Sequence, residues 1–222
     1  MDSINVDIPE LSYFYKMNFD ITPALDLEVL AIQQSLVSNS YNTQEEKEFF
    51  AANIIVKRVK KGELLLKQDQ ILKASFHLFK GCVREYYFRN GEEKTSNFYT
   101  VGESMYDGWI NEGTVRSTLN WECISDGIIS VLTFEVEKEM FKRFPRLESL
   151  CRIETEKQYS NYKNAANEFF ASAPEERYET FMKTKPEIFQ LVPLYQIASY
   201  LGVKPESLSR IRNRLRSASK VK

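Results

Sequence analysis

Arginines occupy every second position from Arg210 to Arg216, close to the end of a 222-residue chain whose formal net charge is only -1. From Lys204 onward there are seven Lys or Arg residues and one acid, Glu206. A guanidinium offers a planar fork of donors that matches carboxylates, phosphates and the acceptor edge of guanine. The same composition is also that of an ordinary solvated face or tail, so the spacing of the neighbouring residues must decide. Other residues with chemical reach are sparse. Cys82, Cys123 and Cys151 lie far apart with no C-x-x-C pair, which argues against a disulfide framework and fits a reducing compartment. Three scattered thiols cannot ligate an iron–sulfur cluster. His77 is the only histidine and reads as a structural residue in a strand rather than a ligand. No metal site is expected.

The elements that must position the arginines follow from turn residues and periodicity. The length fits one large domain or two small ones, and a hydrophobic fraction of 43% is ordinary for a globular chain. Seven of the eight glycines lie between Gly62 and Gly127, so the middle should be rich in turns and the C-terminal part helical. "NIIVKRVKKGELLLKQ" alternates around Lys61-Gly62, and Asn90-Gly91 separates two strand-like runs in the manner of a type I′ hairpin. "STLNWECI" and "IISVLTF" flank the turn Ser125-Asp126-Gly127. Short strands at this spacing predict an antiparallel barrel or sandwich, preceded by a helical segment from about Asp26 to Phe50.

After Phe134 the period becomes helical. "EVEKEMFKRF" should stop near Pro145, and the run from Arg146 to Ser172 contains neither Gly nor Pro. Its apolar residues at Leu147, Leu150, Cys151, Tyr159, Tyr162, Ala166, Phe169 and Phe170 suggest a stripe on a helix about 40 Å long. Such a helix lies on its own core or pairs with a second copy of itself, and a homodimer is the expectation. Ser172 is placed to cap the next helix, with Pro174 in its first turn and an end at Pro186.

The terminal stretch then becomes readable. Ile197, Leu201, Val203, Leu208 and Ile211 are apolar, Ala198 is small enough for a close helix crossing, and Gly202 falls between two helical patterns. These types in this register predict a helix-turn-helix. Pro205 suits the first turn of the second helix, expected to run to about Arg214. Its outward positions are Glu206, Ser207, Ser209, Arg210, Asn213 and Arg214, all able to hydrogen-bond to base edges or phosphates of double-stranded DNA. Glu206 and Arg210 share a face and could pair with each other. Lys204, just before Pro205, suits a phosphate contact.

With these residues in register, "IASYLGVKPESLSRIRNRL" is similar to the C-terminal signature of the Crp/Fnr (cyclic-AMP receptor protein) superfamily of bacterial transcription regulators, in the form common in its Bacteroidetes-type branch. "KKGELLLKQ" followed by "FHLFKGCVREYYF" resembles the family's opening strands, where a Gly-Glu turn precedes an L-x-x-G-x-V-R strand. The resemblance extends from about Asp26 to Arg216. It implies an α+β chain with three parts. N-terminal helices and an antiparallel β-roll of the cyclic-nucleotide-binding type occupy 1–144. A long dimerisation helix spans 145–171, and a helix-turn-helix DNA-binding domain spans 172–222. It also implies DNA, a second copy and RNA polymerase as partners. Two departures are visible. Many relatives carry an arginine where Pro205 stands, which shifts base reading to Glu206 and Arg210. The short remainder "SASKVK" is too little for a full β-hairpin wing.

Nucleotide-binding relatives hold a cyclic phosphate with a Phe-Gly-Glu segment, a short loop and Arg-Ser or Arg-Thr. Here "GESMYDGWINEGTVRSTLNW" keeps Arg116-Ser117, but Tyr106-Asp107-Gly108 replaces the Gly-Glu. By resemblance the ligand candidates are Asp107, Gly108, Arg116 and Ser117; an arginine paired with a nearby acid is the competing reading. Trp109 and Trp121 are bulky enough to fill part of such a pocket. Cyclic nucleotide is therefore not the expected cofactor; another small molecule, or none, is. A cupin-like enzyme would want two or three histidines, so no enzyme is expected. The remaining alternative is an interaction or sensor module whose helix-turn-helix does not read DNA. The opening "MDSINVDIPE" is acidic without an apolar core, unlike a signal peptide. No apolar run approaches the roughly 18 residues of a membrane span. The expectation is a cytoplasmic protein with no membrane partner.

Overall fold

The computed structural model describes residues 26–37, 43–106 and 116–219. Two four-stranded antiparallel sheets face each other. The first has the order β1-β8-β3-β6, with β1 Ile55–Val59, β8 Gly127–Thr133, β3 Ala74–Lys80 and β6 Ser104–Met105. The second has the order β2-β7-β4-β5, with β2 Leu64–Leu66, β7 Asn120–Cys123, β4 Val83–Arg89 and β5 Glu92–Tyr99. Their inner faces supply one core of Val59, Leu66, Leu78, Val83, Trp121 and Ile129, with others. Alternation along each strand puts these residues on the same side. The β4–β5 hairpin turns at Asn90 and Gly91, both at positive φ (54° and 79°), as the type I′ reading requires.

Helix α1 (Leu27–Val37) is tied to the first sheet by ion pairs of Arg58 with Asp26 and Glu28 and of Lys80 with Glu28. Helix α2 (Gln44–Asn53) starts with a capping box between Thr43 and Glu46. Glu46 is buried and also receives Arg146 at 2.6 Å. Burial opposes its ionisation, but the Thr43 N–H and the Arg146 guanidinium outweigh that and hold the carboxyl below the ordinary carboxylate range. Arg146 thus joins α2 to the start of the long helix, where Phe49, Met140, Phe144 and Leu147 form a small core.

The helical C-terminal part comprises α3 (Phe134–Arg143), α4 (Pro145–Ala171), α5 (Pro174–Thr184), α6 (Ile188–Leu191), α7 (Leu194–Leu201) and α8 (Pro205–Ser219). Ser172 does not cap α5. Its hydroxyl turns back to the Glu168 carbonyl at 2.7 Å, while Glu176 accepts the Ala173 N–H at 2.7 Å. The cap came from an acid in the third helical position, and Ser172 was closer to the preceding helix than to the next. Helix α8 runs five residues beyond the expected Arg214, to Ser219. No strand follows Thr133 among the described residues.

Candidate nucleic-acid interface

Helix α7 ends at Gly202, whose φ of 68° and ψ of 31° place it in the left-handed region. The Val203 N–H then closes onto the Ala198 carbonyl at 2.9 Å, a Schellman-type ending that glycine permits at low cost. Lys204 leads into α8, and its carbonyl accepts the N–H groups of Ser207 and Leu208 at 3.0 and 3.1 Å. Pro205 opens the helix, Glu206 lies in its first turn and Arg216 in its last, an arrangement that complements the helix dipole. Ile197, Ala198 and Leu201 of α7 and Leu208 and Ile211 of α8 are buried in one cluster. That packing leaves Lys204, Glu206, Ser209, Arg210, Asn213 and Arg214 exposed, with Ser207 half-buried.

The partners of these side chains differ from the sequence reading in two places. No Glu206–Arg210 ion pair forms among the described residues; Arg210 instead reaches the Ser207 hydroxyl at 3.4 Å. Arg214 is held by Glu175 in the first turn of α5, with its Nε 2.9 Å from the carboxylate. Nothing local to α8 signals that contact, because Glu175 is distant in sequence. Ser209 spends its hydroxyl on the Pro205 carbonyl at 3.1 Å.

The other candidate site is built from β2, the start of β3, the segment joining them, and Arg116. An open groove of about 550 Å³ is lined by Leu65, Asp69, Ile71, Lys73, Phe76 and Arg116, among others. The Arg116 guanidinium donates to the Asp69 carbonyl at 2.6 Å, and the buried Ser117 hydroxyl both accepts from and donates to the Leu119 backbone. Asp107, Gly108 and Trp109 lie outside the described residues. Trp121 is fully buried between the sheets, edge-on to Phe76 and Tyr99, and donates its indole N–H to Glu85 at 3.0 Å. Glu85 also receives the Tyr99 hydroxyl at 2.8 Å and the Ser96 hydroxyl at 2.7 Å. On the opposite face of the same strand, Arg84 is only 2% exposed and is neutralised by Glu93 at 2.8 Å while stacking on Tyr86. Arg84 ends the L-x-x-G-x-V-R strand of the sequence analysis but was not singled out for its charge, and Glu85 was not singled out at all. The adjacent Arg84-Glu85 pair in an apolar strand was the available signal.

Among the described residues no group of three or more His, Cys, Asp or Glu side chains is arranged to hold a metal ion. Burial pushes the thiols of Cys82 and Cys123 up to about 12, so neither is a thiolate at neutral pH. No helix among the described residues is long and apolar enough to cross a membrane.

No protein-family model and no curated protein matches the chain. Solved structures do. FixK2 from Bradyrhizobium japonicum superposes with a TM-score of 0.60 at 16% identity, over 75% of this chain and 86% of that one. CLP of Xanthomonas campestris, a c-di-GMP responsive global regulator, superposes with a TM-score of 0.60 at 14% identity, over 78% and 91%. A protein of Eubacterium rectale assigned to the Crp/Fnr transcriptional regulators gives 0.61 at 15%, over 80% and 85%. The chain has the Crp/Fnr fold. Within the Crp/Fnr fold, the two sheets and the C-terminal helices described above are the parts that carry the groove and the exposed face of α8.

Proposed function

We propose that the chain is a dimeric, sequence-selective DNA-binding regulator of transcription of the Crp/Fnr type, and not an enzyme. The observation that carries this reading is α8. Its inner side is fixed in a core through Leu208 and Ile211, and its outer side presents donors and acceptors in the first turns of an exposed helix. In this reading α7 and α8 form a helix-turn-helix, and the chain divides into an effector part (1–144), a dimerisation helix (145–171) and a reading domain (172–222). Glu206 accepts from a cytosine amino group, and Arg210, which gives up a long contact to Ser207, bonds guanine O6 and N7. Lys204 anchors a phosphate, and Ser207, Ser209 and Asn213 supply further hydrogen bonds. Arg214 exchanges Glu175 for phosphate, a small cost for an exposed pair.

One reading helix per chain covers too little surface for strong specific binding, and α4 offers a means of pairing. Leu150 and Ile153, three apart and so on one side of it, are exposed by 48% and 54%. A second copy covers them in the proposed dimer, and RNA polymerase is the further partner of a regulator of this type. The groove at Arg116 is the proposed effector site, with Asp107, Gly108 and Ser117 as its other candidate residues. Arg116 and Ser117 already have backbone partners, which supports weak cyclic AMP binding at most; calorimetry showing micromolar or tighter binding contradicts it.

The test of the function is selection of bound sequences from a random duplex pool, with and without a cell metabolite extract. The expected product is a pseudo-palindrome with half-sites about one helical turn apart, or a multiple of it. Enrichment of no sequence contradicts the reading.

A further inference from the structure

The C-terminal helices pack directly on the second sheet. Cys82, Phe98 and Ile124 of the second sheet share one buried cluster with Tyr178, Phe181, Ile188, Ile197 and Leu208 of the helices. β5 is the edge of its sheet, and an edge strand leaves backbone groups without strand partners. Here α7 covers it, and the Ser199 hydroxyl accepts the Thr95 N–H at 3.0 Å. Tyr200 is a three-way junction. Its ring centroid lies 5.6 Å from that of Phe98 on the sheet, 6.0 Å from Phe169 at the end of α4, and 4.8 Å from Phe181 on α5.

A directional lock sits beside this junction. Lys185 follows the last turn of α5 and donates its ammonium to the Phe98 carbonyl at 2.5 Å and to the two Glu103 oxygens at 3.0 and 2.8 Å. Glu103 is braced in turn by the Thr100 N–H at 2.6 Å and the Thr100 hydroxyl at 3.0 Å. All three ammonium donors therefore have acceptors on the sheet side. Apolar contacts hold surfaces together without fixing an angle, whereas charge-assisted hydrogen bonds fix direction.

We propose that Lys185, Glu103 and the Tyr200 junction determine the separation of the two reading helices in the dimer, and so the half-site spacing the protein selects, without touching DNA. Resting on the DNA-reading assignment above, this adds residues that specify spacing rather than base identity. The physical chain is short. Helix α8 is fixed to α7 by Leu208 and Ile211, α7 is fixed to β5 by Ser199 and Tyr200, and Tyr200 also touches the helix proposed to hold the dimer. A loosened lock lets α8 swing relative to α4, which changes the distance between half-sites but not the side chains that meet each half-site.

The experiment uses the full chain and duplexes bearing the half-site selected by the wild type, with the centre-to-centre spacing stepped by single base pairs. Lys185→Met and Glu103→Gln are compared with the wild type; Ser199→Ala, which removes one hydrogen bond, serves if either fails to fold. The wild type discriminates sharply against neighbouring spacings. In the variants that discrimination falls by about tenfold, while base preference within a half-site is unchanged. Variants that keep the wild-type spacing profile, or that lose affinity equally at every spacing, overturn the inference. A wild type that selects no sequence overturns the DNA reading itself, so the two failures are distinguishable.

Discussion

Arg210 and Arg214 are one turn apart on α8 and have different partners: the first makes a long contact to Ser207, the second an ion pair with Glu175. Sequence spacing groups them together and cannot separate them, because Glu175 reaches Arg214 only through the packing of α5. Gly202 was fully legible. A side chain there would meet nothing closer than Arg177 Nη1 at 3.5 Å, so Gly202→Ala is costly through its left-handed backbone and not through a clash. The expected loss is about 1 kcal/mol, measurable by urea denaturation; an unchanged midpoint contradicts the turn geometry. His77 is also a single-residue test. It is half-buried in β3, 2.9 Å from the Ser104 hydroxyl, and burial lowers its pKa below the ordinary 6.5. A histidine with a depressed folded pKa contributes stability above its unfolded value that is lost as pH falls through the folded one. Stability should therefore decline as pH drops below 6.5, and His77→Gln should flatten that slope. Because the chain has one histidine, a proton NMR titration reads the midpoint directly; a value at or above 6.5 contradicts the burial.

At the level of elements, the change of period after Phe134 and the glycine distribution marked the passage from strands to helices, and the long helix begins and ends within one residue of the Gly- and Pro-free run. Its role was less legible. Leu147 and Phe169, read as part of one stripe, pack on different cores at its two ends, and the exposed apolar residues lie between them. Ile153→Glu places a charge on that exposed stretch without disturbing either core. Light scattering should show the wild type at twice the chain mass and the variant at the chain mass; a variant that remains dimeric contradicts pairing through α4. β5 shows where sequence pattern fails. Its Phe98 and Tyr99 are adjacent and aromatic, which on a strand means both faces are covered. Tyr99 meets Trp121 within the sheets and Phe98 meets Phe181 outside, but only the fold reveals what supplies the second cover.

For the molecule as a whole, the strands and the C-terminal helices share a cluster through Phe98, Tyr200 and Phe181. Contacts such as Lys185 to Glu103 join residues too far apart in sequence for any local pattern to register. One consequence is cooperative unfolding. Tryptophan fluorescence, which includes the buried Trp121, and far-ultraviolet dichroism, dominated by the helices, should give coincident denaturation curves. Helices that melt before the tryptophan signal changes would contradict a shared core. The central claim, that the outer face of α8 reads bases, is tested most directly by comparing the sequence-selection profiles of Arg210→Ala and Lys204→Ala with that of the wild type. The account predicts that Arg210→Ala costs about 1–3 kcal/mol on the selected site and relaxes preference at one base pair per half-site, whereas Lys204→Ala weakens all sequences alike and reduces the salt slope by about one unit. An unchanged profile for Arg210→Ala, with an altered one for Lys204→Ala, would contradict it.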